Sequence, residues 1–138
     1  MPLATDVLRT EHTAILRMLD ALDEVGRRLV DGRGVPQTML PDLLTFFTTF
    51  ADRCHHAKEE QVLFPRLQAR GMSLEMGPIA VMLGEHEVGR SYVRRMRESA
   101  QRFAAGRVDA AEPFVNAAAE YSGMLREHIE KENEVLFP

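Results

Sequence analysis

Three clusters of helix-breaking residues cut this chain into four segments, and each segment carries one histidine within a helical apolar stripe. The clusters are DGRGVPQTMLP at 31–41, GMSLEMGP at 71–78 and AAGRVDAAEP at 104–113. Glycine and proline at such density end helices. The segments between them are each long enough for a helix of several turns. None alternates apolar and polar residues as a half-buried strand does. On a helical wheel Leu8, Ile15, Leu16, Leu19 and Val30 fall near His12, and Leu44, Phe47, Ala51 and Val62 near His55. Ile79, Met82, Leu83 and Val93 share the face of His86; Phe114, Ala117, Tyr121, Met124, Leu125 and Val135 share that of His128. Four amphipathic helices on short connections predict an all-α fold, an antiparallel up-down-up-down four-helix bundle, as one domain over residues 1–138. Such a bundle turns the four stripes, and their histidines, toward one another.

The two halves of the chain repeat. HHAKEEQVLFP at 55–65 returns as HIEKENEVLFP at 128–138, identical at His, Lys, Glu, Val, Leu, Phe and Pro. His12 and His86 are each preceded by glutamate, Glu11 and Glu85, and the two lysines of the chain, Lys58 and Lys131, occupy equivalent places. The expected architecture is therefore two helical hairpins related by a pseudo-two-fold axis.

The duplicated phrase places His55 above Glu59 and His128 above Glu132, because residues four apart share a helix face. A carboxylate buried alone is costly and prefers to take a proton. One histidine on an apolar stripe is usually a satisfied core residue. Four of them with two carboxylates make poor packing but a good cation cage. The residues put forward as metal ligands are His12, His55, Glu59, His86, His128 and Glu132. Six donors about a two-fold axis suit two ions better than one. Cys54 is directed elsewhere on its helix, so no thiolate contributes, and imidazole with carboxylate suits iron, manganese or zinc. A carboxylate-bridged pair in a helical bundle is most often di-iron. With an oxo or hydroxo bridge added, each iron is five-coordinate and keeps one open position.

The neighbours of these residues have plainer expected roles. His56 and Glu60 are directed away from the His55 face, His56 to a surface or helix interface and Glu60 to solvent. Glu11, Glu85 and Glu127 flank ligands, with minor supporting roles. Tyr121 is a core tyrosine whose hydroxyl leans away from the metals. Arg90 is expected to reach outward, since a positively charged core would repel it. Gly89 allows close helix packing or leaves room for a small ligand, and Cys54 is an inert buried thiol.

The motifs EHTAI (11–15), HHAKEEQVLFP (55–65), GPIAVMLGEH (77–86) and EHIEKENEVLFP (127–138) resemble, in order, those of the hemerythrin-like HHE cation-binding family. The last three are most similar to the di-iron domain of bacterial iron–sulfur cluster repair proteins, without the cysteine-bearing N-terminal domain of those proteins. Carried over motif by motif, the resemblance implies the same six ligands. Oxygen-carrying hemerythrins have a second histidine one turn after the third-helix ligand, where this chain has Arg90. Reversible O2 transport is therefore not the expectation, and cluster repair is not inherited with the domain.

The expected function is a non-haem di-iron protein that binds or reduces a small ligand such as O2, NO or peroxide, using an electron donor that the sequence does not identify. The alternative is a metal store, a metal sensor or a zinc-filled structural bundle. Net charge is −4. The arginines of SYVRRMRESAQR (91–102) have no aromatic platform beside them, so nucleic acid is not an expected partner. No apolar run reaches the length of a membrane span, and no apolar leader opens the sequence, which makes the cytoplasm the expected location.

Overall fold

The computed structural model describes residues 4–32, 35, 38–73 and 75–136. The first helix is Ala4–Val30, with Asp6 in its first turn and Arg27 and Arg28 in its last, each matched to the helix dipole. The second rod runs without a break over 39–69 but changes pitch along its length. It is α-helical over Met39–Phe46, π-helical over Phe47–His56 and Glu59–Leu63, and α-helical again over Phe64–Ala69. Pro65 follows the second π stretch. A widened turn just before a proline relieves the clash between its ring and the carbonyl four residues back. The third helix is Pro78–Ala104. Gly77 in front of it has φ 81°, open to glycine at no steric cost, and Pro78 starts the helix where its missing N–H is not needed. A single 3₁₀ turn, Val108–Ala110, leads into the fourth helix, Ala111–Lys131, which continues as a π turn over Glu132–Leu136. The described residues include no strand.

Inter-rod bonds show that neighbouring rods run antiparallel. Along the first and fourth, Arg9 meets Asn133 while Asp20 meets Arg126. Along the second and third, Glu60 meets His86, Asp52 meets Arg90 and Thr48 meets Arg97. Along the third and fourth, Glu85 meets His128, and Gly89 lies against Met124. This is the up-down-up-down bundle expected from the stripes. Two positions of the predicted stripes prove exposed, Val30 and Val62. Val30 is the last residue of its helix. Val62 lies in the second π stretch, where a residue turns through less than the roughly 100° of an α-helix and the wheel loses register. Val135 has a side chain outside the described residues.

The core is divided. A large apolar cluster contains Ile15, Leu19, Leu22, Leu43, Phe47, Met96, Phe114 and Leu125. A small one of Phe64, Ile79 and Met82 lies toward the opposite end of the second and third rods. At about 1.5–3 kcal/mol for each large side chain fully buried, these clusters supply the drive to fold. Between them lies a polar layer, one histidine from each rod at a common level. No described helix is long and apolar enough to cross a membrane.

Candidate metal centre

All six residues put forward from the sequence meet in that layer. His12, His55, His86 and His128 are each 1% exposed, and Glu59 and Glu132 are fully buried. Each carboxylate joins an imidazole of its own rod to one from another. Glu132 Oε1 lies 3.1 Å from His128 Nε2 and 3.2 Å from His12 Nε2. Glu59 Oε1 lies 3.7 Å from His55 Nε2 and 3.3 Å from His86 Nε2. His86 Nε2 and His128 Nε2 are 3.2 Å apart. The donors fall into two groups, in each of which the candidate atoms lie within 4.8 Å of one another: His12, His55, Glu59 and Glu132, and His56, Glu59, His86 and His128. Glu59 belongs to both.

A second ring of residues orients the first. His55 Nδ1 donates to Glu11 Oε1 at 2.9 Å, and Lys58 Nζ donates to the other oxygen of that carboxylate at 2.5 Å. In the other half His128 Nδ1 donates to Glu85 Oε1 at 3.0 Å, and Lys131 Nζ to Glu85 Oε2 at 3.1 Å. His86 Nδ1 donates to Glu60 Oε2 at 2.7 Å, and His12 Nδ1 to Asn133 Oδ1 at 2.8 Å. Every Nδ1 thus carries the proton, and every Nε2 faces inward as a lone-pair donor. This explains why each duplicated phrase contains a lysine and why a glutamate precedes His12 and His86. It also corrects two readings. Glu11 and Glu85 hold ligand rings directly, and Glu60 binds His86 rather than facing solvent. Glu127 is exposed, as a flanking residue should be.

The largest departure from expectation is His56, which is buried at 5% exposure. Its ring stacks on that of His86 with centroids 3.9 Å apart and planes 15° apart. The π stretch Phe47–His56 accounts for this, because it advances less per residue and turns two successive histidines inward. Arg90 does not reach free into solvent. It is half-buried and donates to Asp52 Oδ1 at 2.8 Å, to Glu60 Oε2 at 2.7 Å and to Glu87. The acids that would make its position tolerable are present, on the neighbouring rod and one turn earlier on its own. A cavity of about 240 Å³ between the second and third rods is lined by Asp52, His56, His86, Gly89, Arg90 and Tyr121, among others. A Cβ at Gly89 would come within 3.2 Å of Met124 Cε and 3.4 Å of Tyr121 Cε1, so this glycine serves close packing as well as lining the cavity. Tyr121 packs edge-on against Phe47 and belongs to neither donor group. Cys54 is exposed, not buried.

The electrostatics of the layer are those of a site that needs a cation. Burial, and then the adjacent Glu132 carboxylate, push Glu59 far above the usual carboxylate range. Burial lowers His55 to about 4 and also lowers His86, keeping both imidazoles neutral. On His128 burial opposes charge, but Glu132 and Glu85 outweigh it and raise its pKa. His55 Nε2 and both oxygens of Glu59 and Glu132 are buried without a hydrogen-bond partner of acceptable geometry. Buried polar atoms are almost always partnered, and orphan carboxylate oxygens are among the most costly exceptions. Cations among these atoms would satisfy them, so the donor set fits bound metal.

Residues 3–138 match the model of the hemerythrin HHE cation binding domain. Iron–sulfur cluster repair proteins YtfE from Enterobacter sp. (strain 638) and from Escherichia coli O1:K1 / APEC are 35% and 34% identical to this chain over 90 residues. Those alignments take in 61% of this chain but 39% of each relative, so the match spans well under half the length of either repair protein. No solved structure gives a significant match.

Proposed function

This chain belongs to the hemerythrin HHE cation binding domain family, and from that premise we propose that it holds two iron ions and offers them to a small ligand such as O2, NO or peroxide. His12, His55, Glu59, His86, His128 and Glu132 would be the ligands in this reading, Glu59 belonging to both groups of donors. The observation that carries it is the pair of fully buried carboxylates, all four oxygens unpartnered, ringed by imidazoles whose Nε2 atoms face inward. Bound iron would supply an open coordination position and exchangeable electrons.

The protein's own residues do the rest. Glu11, Glu85, Glu60 and Asn133 fix the tautomer and tilt of the four rings, which raises their basicity as donors. Lys58 and Lys131 hold the first two of those carboxylates in place. The apolar clusters at either side keep bulk water from the layer. A role in the response to nitrosative or oxidative stress follows from this reading. Because the match covers less than half of those relatives, their repair activity is not assigned to this chain as a whole.

The test is the metal content and air-oxidised absorption spectrum of protein purified without added metal. Stopped-flow mixing of the reduced form with O2, NO and peroxide then follows. About two irons per chain and a reaction with at least one ligand are expected. One redox-inert zinc, silent toward all three, would instead make the protein a zinc-filled bundle or a metal store.

A further inference from the structure

We propose that His56 is a seventh metal donor, so that the two ions are chemically unequal: one bound by His12, His55, Glu59 and Glu132, the other by three imidazoles, His56, His86 and His128, with Glu59. The inference rests on the metal-pair reading above and asks which atoms complete it.

The first support is position. His56 is buried in the polar layer, and a donor atom of its ring lies within 4.8 Å of those of Glu59, His86 and His128. The second is an unmet need. Nδ1 of each of the other four rings is bonded to an oxygen, whereas the buried Nδ1 of His56 has no hydrogen-bond partner, Asp52 Oδ1 lying 3.7 Å away. Asp52 is itself held by Arg90 at 2.8 Å, and Arg90 also grips Glu60, which carries the ring of His86. One guanidinium thereby steadies the carboxylates behind two adjacent rings.

The third support is an internal control. The two-fold repeat gives each of these residues a counterpart: Ile129 for His56, Leu125 for Asp52 and Leu16 for Arg90. Ile129 and Leu125 are buried and apolar. The fold therefore packs this place well with aliphatic side chains in one half. In the other half it takes up an imidazole, a carboxylate and a guanidinium, each costly to desolvate. The π stretch Phe47–His56, which turns His56 inward, also has no counterpart, since residues 120–129 are α-helical. A ring that merely filled space would not need this apparatus. A ring that donates to a cation does.

The test uses the whole chain labelled with ¹⁵N at histidine and titrated with zinc, followed by long-range ¹H–¹⁵N NMR. The proposal expects five rings to move on metal addition, with a ring nitrogen of His56 among those shifted. If four rings move and His56 stays put, the proposal is overturned while the metal-pair reading stands. If no ring moves, the reading itself fails. Replacing His56 with the residue of the other half, His56→Ile, gives the second measurement. Loaded with ⁵⁷Fe, wild-type protein should show two resolved Mössbauer doublets. The variant should show their difference reduced and its weaker metal affinity lowered at least about ten-fold. An unchanged spectrum and affinity in the folded variant would refute the assignment. Should that variant fail to fold, the zinc titration of the wild-type chain decides alone.

Discussion

Replacing Glu59 with glutamine should stabilise the metal-free protein and destabilise the metal-bound one, a reversal of sign that a merely structural glutamate cannot produce. In the metal-free bundle Glu59 is fully buried beside Glu132, and its pKa is raised from an ordinary 4.5, chiefly by burial. A carboxyl raised in the folded state gives stability that is complete below its unfolded pKa and is lost as pH climbs toward the folded one. Above about pH 4.5 folding therefore costs a proton uptake worth up to about 1.4 kcal/mol per pH unit. At pH 8 the ceiling is about 5 kcal/mol, and relaxation of a buried pair brings it to the order of 2–4 kcal/mol. Glutamine copies the protonated acid in shape and can donate to Glu132, so Glu59→Gln removes that cost. For a chain of this size 1 kcal/mol moves the melting temperature by about 3–5 °C. The variant should thus melt roughly 6–20 °C above wild type in EDTA at pH 8, with no advantage near pH 4.5. With zinc present the order inverts. Losing the shared carboxylate weakens binding, and each hundred-fold loss of affinity removes about 2.7 kcal/mol of linkage stabilisation. Thermal melts by circular dichroism at both pH values, with EDTA and with zinc, give the four numbers required. A variant that melts lower under all four conditions would refute the argument, since Glu59 would then be stabilising the bundle without any cation.

Other substitutions separate ligand supports from scenery. Glu11→Gln and Glu85→Gln should each weaken metal binding about 10–100-fold in competition titrations, because they loosen the rings of His55 and His128, while Glu127→Gln changes nothing. Lys58→Ala should cost under about 1 kcal/mol in urea denaturation, since that ion pair is half open to solvent. Tyr121→Phe should leave metal content unchanged, because the tyrosine belongs to neither donor group. Gly89→Leu should cost about 1–3 kcal/mol, as a side chain there meets Met124 and Tyr121. Gly89→Ala should stay near neutral, the gain in helix propensity offsetting a contact that the flexible end of Met124 can yield.

Hydrophobic periodicity was a sound guide wherever the rods keep α-helical pitch. The stripes around His12, His86 and His128 are buried almost as read, because those three histidines stand within α-helical stretches. The second rod is not. Its π stretches turn His56 inward and leave Val62 exposed, and a wheel of fixed step has no means of seeing a change of pitch. A different limit applies to the outer ring. Glu11, Glu85 and Glu60 act on histidines of other rods, so no spacing within one helix reports them. The repeat itself held the signal: Glu11 with Lys58 and Glu85 with Lys131 recur as sets, and Glu60 stands where the second copy has Asn133. Cys54 was misread for a simpler reason. Free cysteine is usually buried, and this one follows the rod around to its outer face.

The same outer ring overturns the argument that Arg90 must avoid the centre. Counting only the ligands, two carboxylates against a pair of cations leave an excess of positive charge, and a guanidinium nearby would add to it. The structure places four more carboxylates, those of Glu11, Asp52, Glu60 and Glu85, around the histidine rings, and sets Lys58, Lys131 and Arg90 outside them. Six acids stand against three bases, and two divalent cations bring the assembly to within one charge of neutral. Each ligand ring therefore passes its charge outward through a carboxylate or amide to the surface, where screening by water makes the last pair inexpensive. Arg90 is the outermost member of that relay on the side that has an extra imidazole. Without cations the same groups leave three negative charges in excess, and this, added to burial, favours a proton on Glu59.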